Sequence, residues 1–288
     1  PSEYVCVVGP NGGGKTTLTV NLAASFSKKG FRVLLVDLDS QANSTYAAGL
    51  IRFQDEMDDD IKGNYVYHAI RERNSHFIPD VARQSKFTDP PFDVIPSHID
   101  LMKHENELIE LSPSRKRLFG KLNKVADSYD LVFIDTPPSL NIFAQIALIA
   151  ADFLLIPSDL KPFANEGLRN VQQLVDDINE VREQYSQEAI QVLGIVPSKI
   201  ATAHRFVEFV LPRMERTVRE RYGFPVLQSR IFDRRDVSAA IERMVEVGEL
   251  DIPDPQSIFD YKPGSQAADE FEALTQEIIQ LTDVERVV

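Results

Sequence analysis

The chain has 288 residues, 43% of them hydrophobic and 26% charged, with a formal net charge of −13. Those proportions describe an ordinary globular α/β-sized protein, and the negative balance excludes a surface coated in positive charge for nucleic acid. A single cysteine, Cys6, excludes a disulfide framework and suits a reducing, cytoplasmic setting.

Residues 4–8 form an apolar run that reads as a buried strand. Gly9-Pro10-Asn11-Gly12-Gly13-Gly14-Lys15-Thr16 follows and fits the phosphate-binding pattern G-x-x-x-x-G-K-[ST]. Leu18, Val20, Leu22, Ala23 and Phe26 then repeat at helical spacing. Strand, glycine loop and helix is the context that gives the motif meaning. The loop Pro10, Asn11, Gly12, Gly13, Gly14 is expected to turn around a phosphate chain, with Thr17 behind it and the helix dipole adding positive potential. Lys15 is expected to reach the β- and γ-phosphates, and the Thr16 hydroxyl to hold Mg²⁺. The alternative is a glycine-rich turn with no ligand.

Further apolar runs lie at 33–37, 92–96, 131–135, 153–157 and 192–197. Runs without polar alternation suit parallel strands covered on both faces, and the helical patterns between them supply right-handed crossovers. The expected fold is α/β: a mostly parallel twisted sheet flanked by helices on both faces, of the P-loop NTPase kind, in a single domain over residues 1–288. Leu168, Val171, Leu174, Val175, Ile178 and Val181 form one core-facing stripe, and Phe271, Leu274, Ile278, Ile279 and Leu281 another. Residues 50–91 break the alternation with an acidic patch read as a solvated loop (Asp55, Glu56, Asp58, Asp59, Asp60) and a helix near 65–73. Residues 250–264 read as an irregular connector. The run 142–156, interrupted by Gln145 and Asp152, is too short and broken to span a bilayer.

Ligands of open α/β sheets sit at the carboxyl ends of the strands. After 33–36 come Asp37 and Asp39, two apart and pointing the same way; one suits Mg²⁺ through water and the other an attacking water, although such carboxylates also serve as helix caps. After 131–134 comes Asp135-Thr136-Pro137-Pro138, the Walker B arrangement, with its carboxylate near the Mg²⁺ sphere. Ser198 and Lys199, after 192–197, are candidates for contacting adenine.

In this order the pieces resemble the ParA/MinD family of deviant Walker-A ATPases. The matching segments include Thr16-Thr17, Asn21-Leu22-Ala23, Val36-Asp37-Leu38-Asp39-Ser40-Gln41-Ala42-Asn43, Val94-Ile95-Pro96-Ser97, Ile134-Asp135-Thr136-Pro137-Pro138-Ser139-Leu140, and the stretch from Ala151-Asp152 to Glu166-Gly167-Leu168. The resemblance covers nearly the whole chain. It implies ATP and Mg²⁺ as cofactors, an ATP-sandwich homodimer, and slow, partner-stimulated hydrolysis that releases the dimer from a surface. It gives Lys15, Thr16, Asp39 and Asp135 the roles of phosphate lysine, Mg²⁺ ligand, water-orienting acid and Walker B acid. One position departs. The family's signature lysine, second in the loop, is Pro10 here, and the next residue is Asn11. Proline has neither charge nor N–H. Lys161, just past a strand end, is the candidate to supply the missing charge in trans; a solvated surface lysine is the alternative. The missing lysine is similar to the McdA-type branch that positions carboxysomes.

The chain's acidic final helix would be repelled by anionic lipid, so no membrane partner is expected. Arg205, Arg213, Arg216, Arg219 and Arg221, followed by Arg230, Arg234 and Arg235, suit non-specific DNA when doubled across a dimer. Glu208, Glu215 and Glu220 leave a salt-bridged surface helix open. The expected function is a positioning ATPase, cytoplasmic and nucleoid-associated, answering to a small adaptor on its cargo. The alternatives are a plasmid or chromosome partition ATPase and a metabolic ligase on the same fold. An iron–sulfur carrier is disfavoured by the lone cysteine, and the five histidines show no metal spacing.

Overall fold

A computed structural model describes residues 2–9, 14–53 and 55–286. Seven strands form one sheet: β1 (Glu3–Val7), β2 (Val33–Asp37), β3 (Arg83–Gln84), β4 (Asp93–Ile95), β5 (Leu131–Asp135), β6 (Phe153–Ser158) and β7 (Gln191–Pro197). Their order is β3-β4-β2-β5-β1-β6-β7, parallel throughout except for β3, which runs against β4. The mostly parallel sheet expected from the apolar runs is therefore present, with an added antiparallel edge. That edge is two residues, one half-buried and one exposed, and carries no apolar signal.

Alternation along the central strand explains the two layers of core. Tyr4, Cys6 and Val8 face one side, where Val66–Arg71, Ser114–Asn123, Ile142–Ala150 and Pro162–Gln184 pack. Val5 and Val7 face the other side, against Lys15–Lys28 and Gln266–Thr282. Both helical stripes read from the sequence bury their centres, although Leu281 stays exposed. The register of β1 on β5 brings Val7 opposite Asp135, and β2 on β5 brings Asp37 opposite Asp135. Three strand ends thus meet where the phosphate loop begins.

One stretch differs from expectation. Residues 250–264 are not an irregular connector: β9 (Leu250–Pro253) pairs antiparallel with β8 (Met244–Val247) in a hairpin apart from the main sheet, and Ile258–Tyr261 is helical. The hairpin is mostly exposed, so burial gave it no periodic pattern. A bulge also separates Leu154 from Leu155 where β6 meets β7. Gly194 sits there at φ +138°, and a Cβ on it would lie 2.6 Å from the Pro225 carbonyl oxygen. The run 142–156 divides into the helix Ile142–Ala150 and β6, and among the described residues no helix is long and apolar enough to cross a membrane.

Candidate functional site

Gly14 caps the helix Lys15–Lys28 in the left-handed conformation, at φ 77°. Glycine adopts it without strain, so the chain enters the helix directly from the loop. Pro10, Asn11, Gly12 and Gly13 lie outside the described residues. Lys15 is buried and its Nζ donates to the Gly9 carbonyl at 3.1 Å. Burial pushes its pKa down, while Asp135 and Asp39 oppose that shift.

Asp135 is the centre of the arrangement. Its Oδ2 accepts from Thr16 Oγ1 at 3.2 Å and from Ser44 Oγ at 2.5 Å. Its Oδ1 is buried with no hydrogen-bond partner. Burial raises its pKa, with the Ser44 and Lys15 contacts working against that rise. A buried carboxylate oxygen without a donor is costly, and a cation is what offsets it. Among the described residues no three His, Cys, Asp or Glu side chains gather into a metal cage. One hydroxyl and one carboxylate instead make the sparse protein donor set that suits Mg²⁺ carried in with phosphates and water. The residues present fit that ion.

Asp37 and Asp39 part company. Asp37 is fully buried; its Oδ2 accepts from Thr45 N and Thr45 Oγ1, at 2.9 and 2.7 Å, and its Oδ1 accepts from Asp39 N at 3.0 Å. Burial and the neighbouring Asp135 push its pKa up. Asp37 therefore braces the loop that carries Asp39, whose Oδ1 accepts from Gln41 N at 2.9 Å. Thr136 donates to the Val7 carbonyl at 2.8 Å and ties β5 to the loop's entrance.

On the other flank, Thr17, Ser198 and Lys199 line a small cavity of about 50 Å³ with Phe232, Asp233 and Arg234. The Lys199 side chain lies against Gly14, its Cε 3.4 Å from where a Cβ would stand. Ser198 is buried, with its N–H on the Ser158 carbonyl at 2.8 Å. The structure thus brings both candidate adenine residues to the phosphate loop.

A family description reading "AAA domain" matches residues 3–217. A virulence-plasmid ParA family protein of Chlamydia psittaci is 31% identical over 276 residues, spanning 93% of this chain and 90% of that protein. Chromosome partitioning protein ParA of Myxococcus xanthus is 33% identical over 210 residues, spanning 72% and 70%.

The chain belongs to the ParA family.

Solved structures extend the likeness of this ParA-family chain in fold alone. An McdA–ATP complex from Cyanothece superposes with TM-score 0.73 at 16% identity, covering 100% of this chain and 98% of that one. Cobyrinic acid a,c-diamide synthase from Mycobacterium smegmatis, crystallised with an ATP analogue and magnesium, gives 0.72 at 21%, covering 97% and 95%.

The remaining candidates lie away from the phosphate loop. Arg205, Arg213, Arg216, Arg219 and Arg221 are all exposed along a helical stretch that includes Leu211–Thr217 and π turns at Phe206–Val210 and Val218–Tyr222. Of their acidic neighbours, Glu208 pairs with His204 and buried Glu215 pairs with Arg230 at 2.8 Å, while Glu220 stays exposed among the arginines. Arg234 departs from this group. It pairs with Glu270 at 2.7 Å and lines the cavity beside Lys199, because the chain returns from the arginine helix toward β7 through the Ile200–Phe232 bridge. Arg235 stays exposed at the start of Arg235–Ile241. Lys161 is exposed and caps Pro162–Gln184, its Nζ 3.3 Å from Asp159 Oδ2.

Ser44, Thr45 and the segment 231–233 were missed from the sequence. For Ser44 and Thr45 a signal existed, since they stand in the short helix Asn43–Ala47 that follows the Asp39 loop at the end of β2, where ligands gather. For 231–233 there was none: the segment reaches the site by tertiary return, 33 residues beyond Ser198 at its nearest.

Proposed function

We propose that this chain is a partition ATPase whose ATP-bound dimer sits on DNA and whose hydrolysis, stimulated by an adaptor protein, releases it. The observation that carries the reading is the convergence of Lys15, Thr16 and the unpartnered Oδ1 of Asp135 at the end of the phosphate loop. Mg²⁺, when bound with ATP, supplies charge neutralisation at the β- and γ-phosphates. Thr16 and Asp135 hold that ion, and Lys15 exchanges the Gly9 carbonyl for phosphate oxygens. Asp39 orients the attacking water, and Asp37 reaches the ion at most through water, since its oxygens already brace the loop. Ser198 and Lys199 sit where they can meet the base.

The exposed arginines support DNA as the surface, because Glu208 and Glu215 do not neutralise them. The partition names among the relatives support a plasmid or chromosome as cargo. A carboxysome cargo of the McdA type rests on Pro10 in place of the signature lysine, with the McdA likeness being one of fold. Lys161 is proposed to cross to the partner's phosphates after leaving Asp159. The test is DNA binding at several salt concentrations with MgATP, MgADP and no nucleotide. Salt-sensitive binding with MgATP alone is expected; binding indifferent to nucleotide defeats the switch.

A carboxylate–amine ligase on this scaffold has one observation in its favour, a cleft of about 610 Å³ beside Gln41. A ligase turns over only with a small substrate, whereas the partition ATPase responds to DNA or protein.

A further inference from the structure

The last helix, Gln266–Thr282, lies beyond the residues that the family description matches, yet it grips both sides of the cavity beside Lys199. On one side it is fixed to Lys15–Lys28. Thr275 Oγ1 donates to Ser25 Oγ at 2.8 Å, both residues being buried, and Glu272 pairs with Lys29. On the other side two of its carboxylates hold the segment 228–234. Glu277 accepts from Gln228 N and Ser229 N, at 2.7 and 2.8 Å. Glu270 accepts from Phe232 N at 3.3 Å and from Arg234 Nε at 2.7 Å.

The two edges of that segment are answered differently. Ile231 N and Asp233 N donate to the Pro197 and Ile200 carbonyls, at 2.8 and 2.9 Å, which seats one edge on the exit of β7. Phe232, between them, turns its N–H the other way, to Glu270. The Glu270 side chain is 12% exposed, so burial pushes its pKa up while Arg234 opposes that shift. A carboxylate so placed is exacting about the geometry of its partner. Arg234 spends only Nε on it. The terminal amino groups of Arg234 take no hydrogen bond among the described residues, and the residue lines the cavity. The plane of the guanidinium is thus set from behind, leaving donors free for a ligand and a flat cation able to lie on an aromatic ring.

We propose that Glu270 is a positioning residue for the nucleotide base. It holds Phe232 and Arg234 as a wall of the base cavity, so the last helix, rather than the phosphate loop, governs how tightly the base is held. This rests on the nucleotide reading of the site. The cavity is small, about 50 Å³, and a wall that slackens changes what it admits. Glu277 supplies an internal comparison. It anchors the same segment through Gln228 and Ser229, which do not line the cavity.

Calorimetry on the full chain reads two probes: MgATP, and Mg²⁺ with tripolyphosphate, which carries a phosphate chain and no base. Glu270→Gln keeps the shape and an oxygen for Phe232 N but loses the charge that holds Arg234. It is expected to weaken MgATP by roughly ten-fold or more, the scale of one charge-assisted contact. Tripolyphosphate should stay within about two-fold, and KM should rise with kcat within about two-fold, as for a contact made equally in ground and transition states. Glu277→Gln should leave both probes within about two-fold of the wild type, whatever it does to the urea midpoint. Adding Arg234→Gln to Glu270→Gln should cost no more than the larger single loss. Unchanged MgATP affinity in Glu270→Gln overturns the proposal. So does an equal loss of both probes, or an equal loss of MgATP in Glu277→Gln, since either makes Glu270 a brace of the fold alone. Additive losses in the double variant overturn the route through Arg234. Should Glu270→Gln fail to fold by circular dichroism, the part-exposed Arg234→Gln decides: a loss confined to MgATP supports the proposal, and no loss overturns it. A wild type that binds neither probe overturns the nucleotide reading itself, whereas binding of both by an indifferent Glu270→Gln overturns only the positioning.

Discussion

Asp135 Oδ1 and Gly194 show how much a single position commits. With Oδ2 spent on Thr16 and Ser44, Oδ1 has only an incoming ion to answer it. Asp135→Asn keeps the shape and removes the charge. MgATP affinity is expected to fall by roughly 100-fold, about 3 kcal/mol, the scale of a charge-assisted contact. Titration calorimetry with and without Mg²⁺ reads it, and the loss should be confined to the Mg²⁺ arm. Gly194→Ala meets two obstacles at once, a positive φ and the Pro225 carbonyl at 2.6 Å. It is expected to destabilise the fold by about 2 to 3 kcal/mol, measured by urea unfolding. The first residue was legible in the sequence, as an aspartate closing an apolar run. The second was not, because a bulge is a property of two paired strands and leaves one glycine as its sole trace.

Elements were legible where burial imposed a pattern. All five residues of both β2 and β5 are buried, and both appear in the sequence as unbroken apolar runs. Where burial is slight, in β3 and the β8–β9 hairpin, backbone pairing alone makes the strand and no residue type announces it. The arginine stretch is an intermediate case. Its charges are plain in the sequence, but Glu215 is taken up by Arg230, outside the helical spacing, whereas Glu208 meets His204 at the i,i+4 spacing. Arg213, Arg216 and Arg219, three apart, share a face. Replacing all three with glutamine is expected to weaken DNA binding across all sequences, with the log-affinity against log-salt slope falling by about 0.9 for each phosphate no longer neutralised. Anisotropy over a salt series checks this, and an unchanged slope clears the helix.

At the scale of the whole molecule, order along the chain carried more than any motif. Strand ends from β1, β2 and β5 are far apart in sequence, and the parallel register gathers them. The cavity beside Lys199 was illegible because it joins segments that only the folded sheet brings together. Dimerisation is also a whole-molecule property. Lys161→Ala is expected to abolish ATP-dependent dimerisation by sedimentation while leaving monomer stability within about 0.5 kcal/mol, as an exposed change should. Unchanged dimerisation removes Lys161 from the interface. Finally, the hairpin stands beyond residue 217, where the family match ends. Its base is clamped by Asp254 between Arg52 and Arg243, while a side chain at Gly248 of its tip would meet open space. That makes the tip a grafting point. A fluorescent reporter spliced between Gly248 and Glu249 would ride outside the body, so the chain's movements could be filmed without touching either terminus.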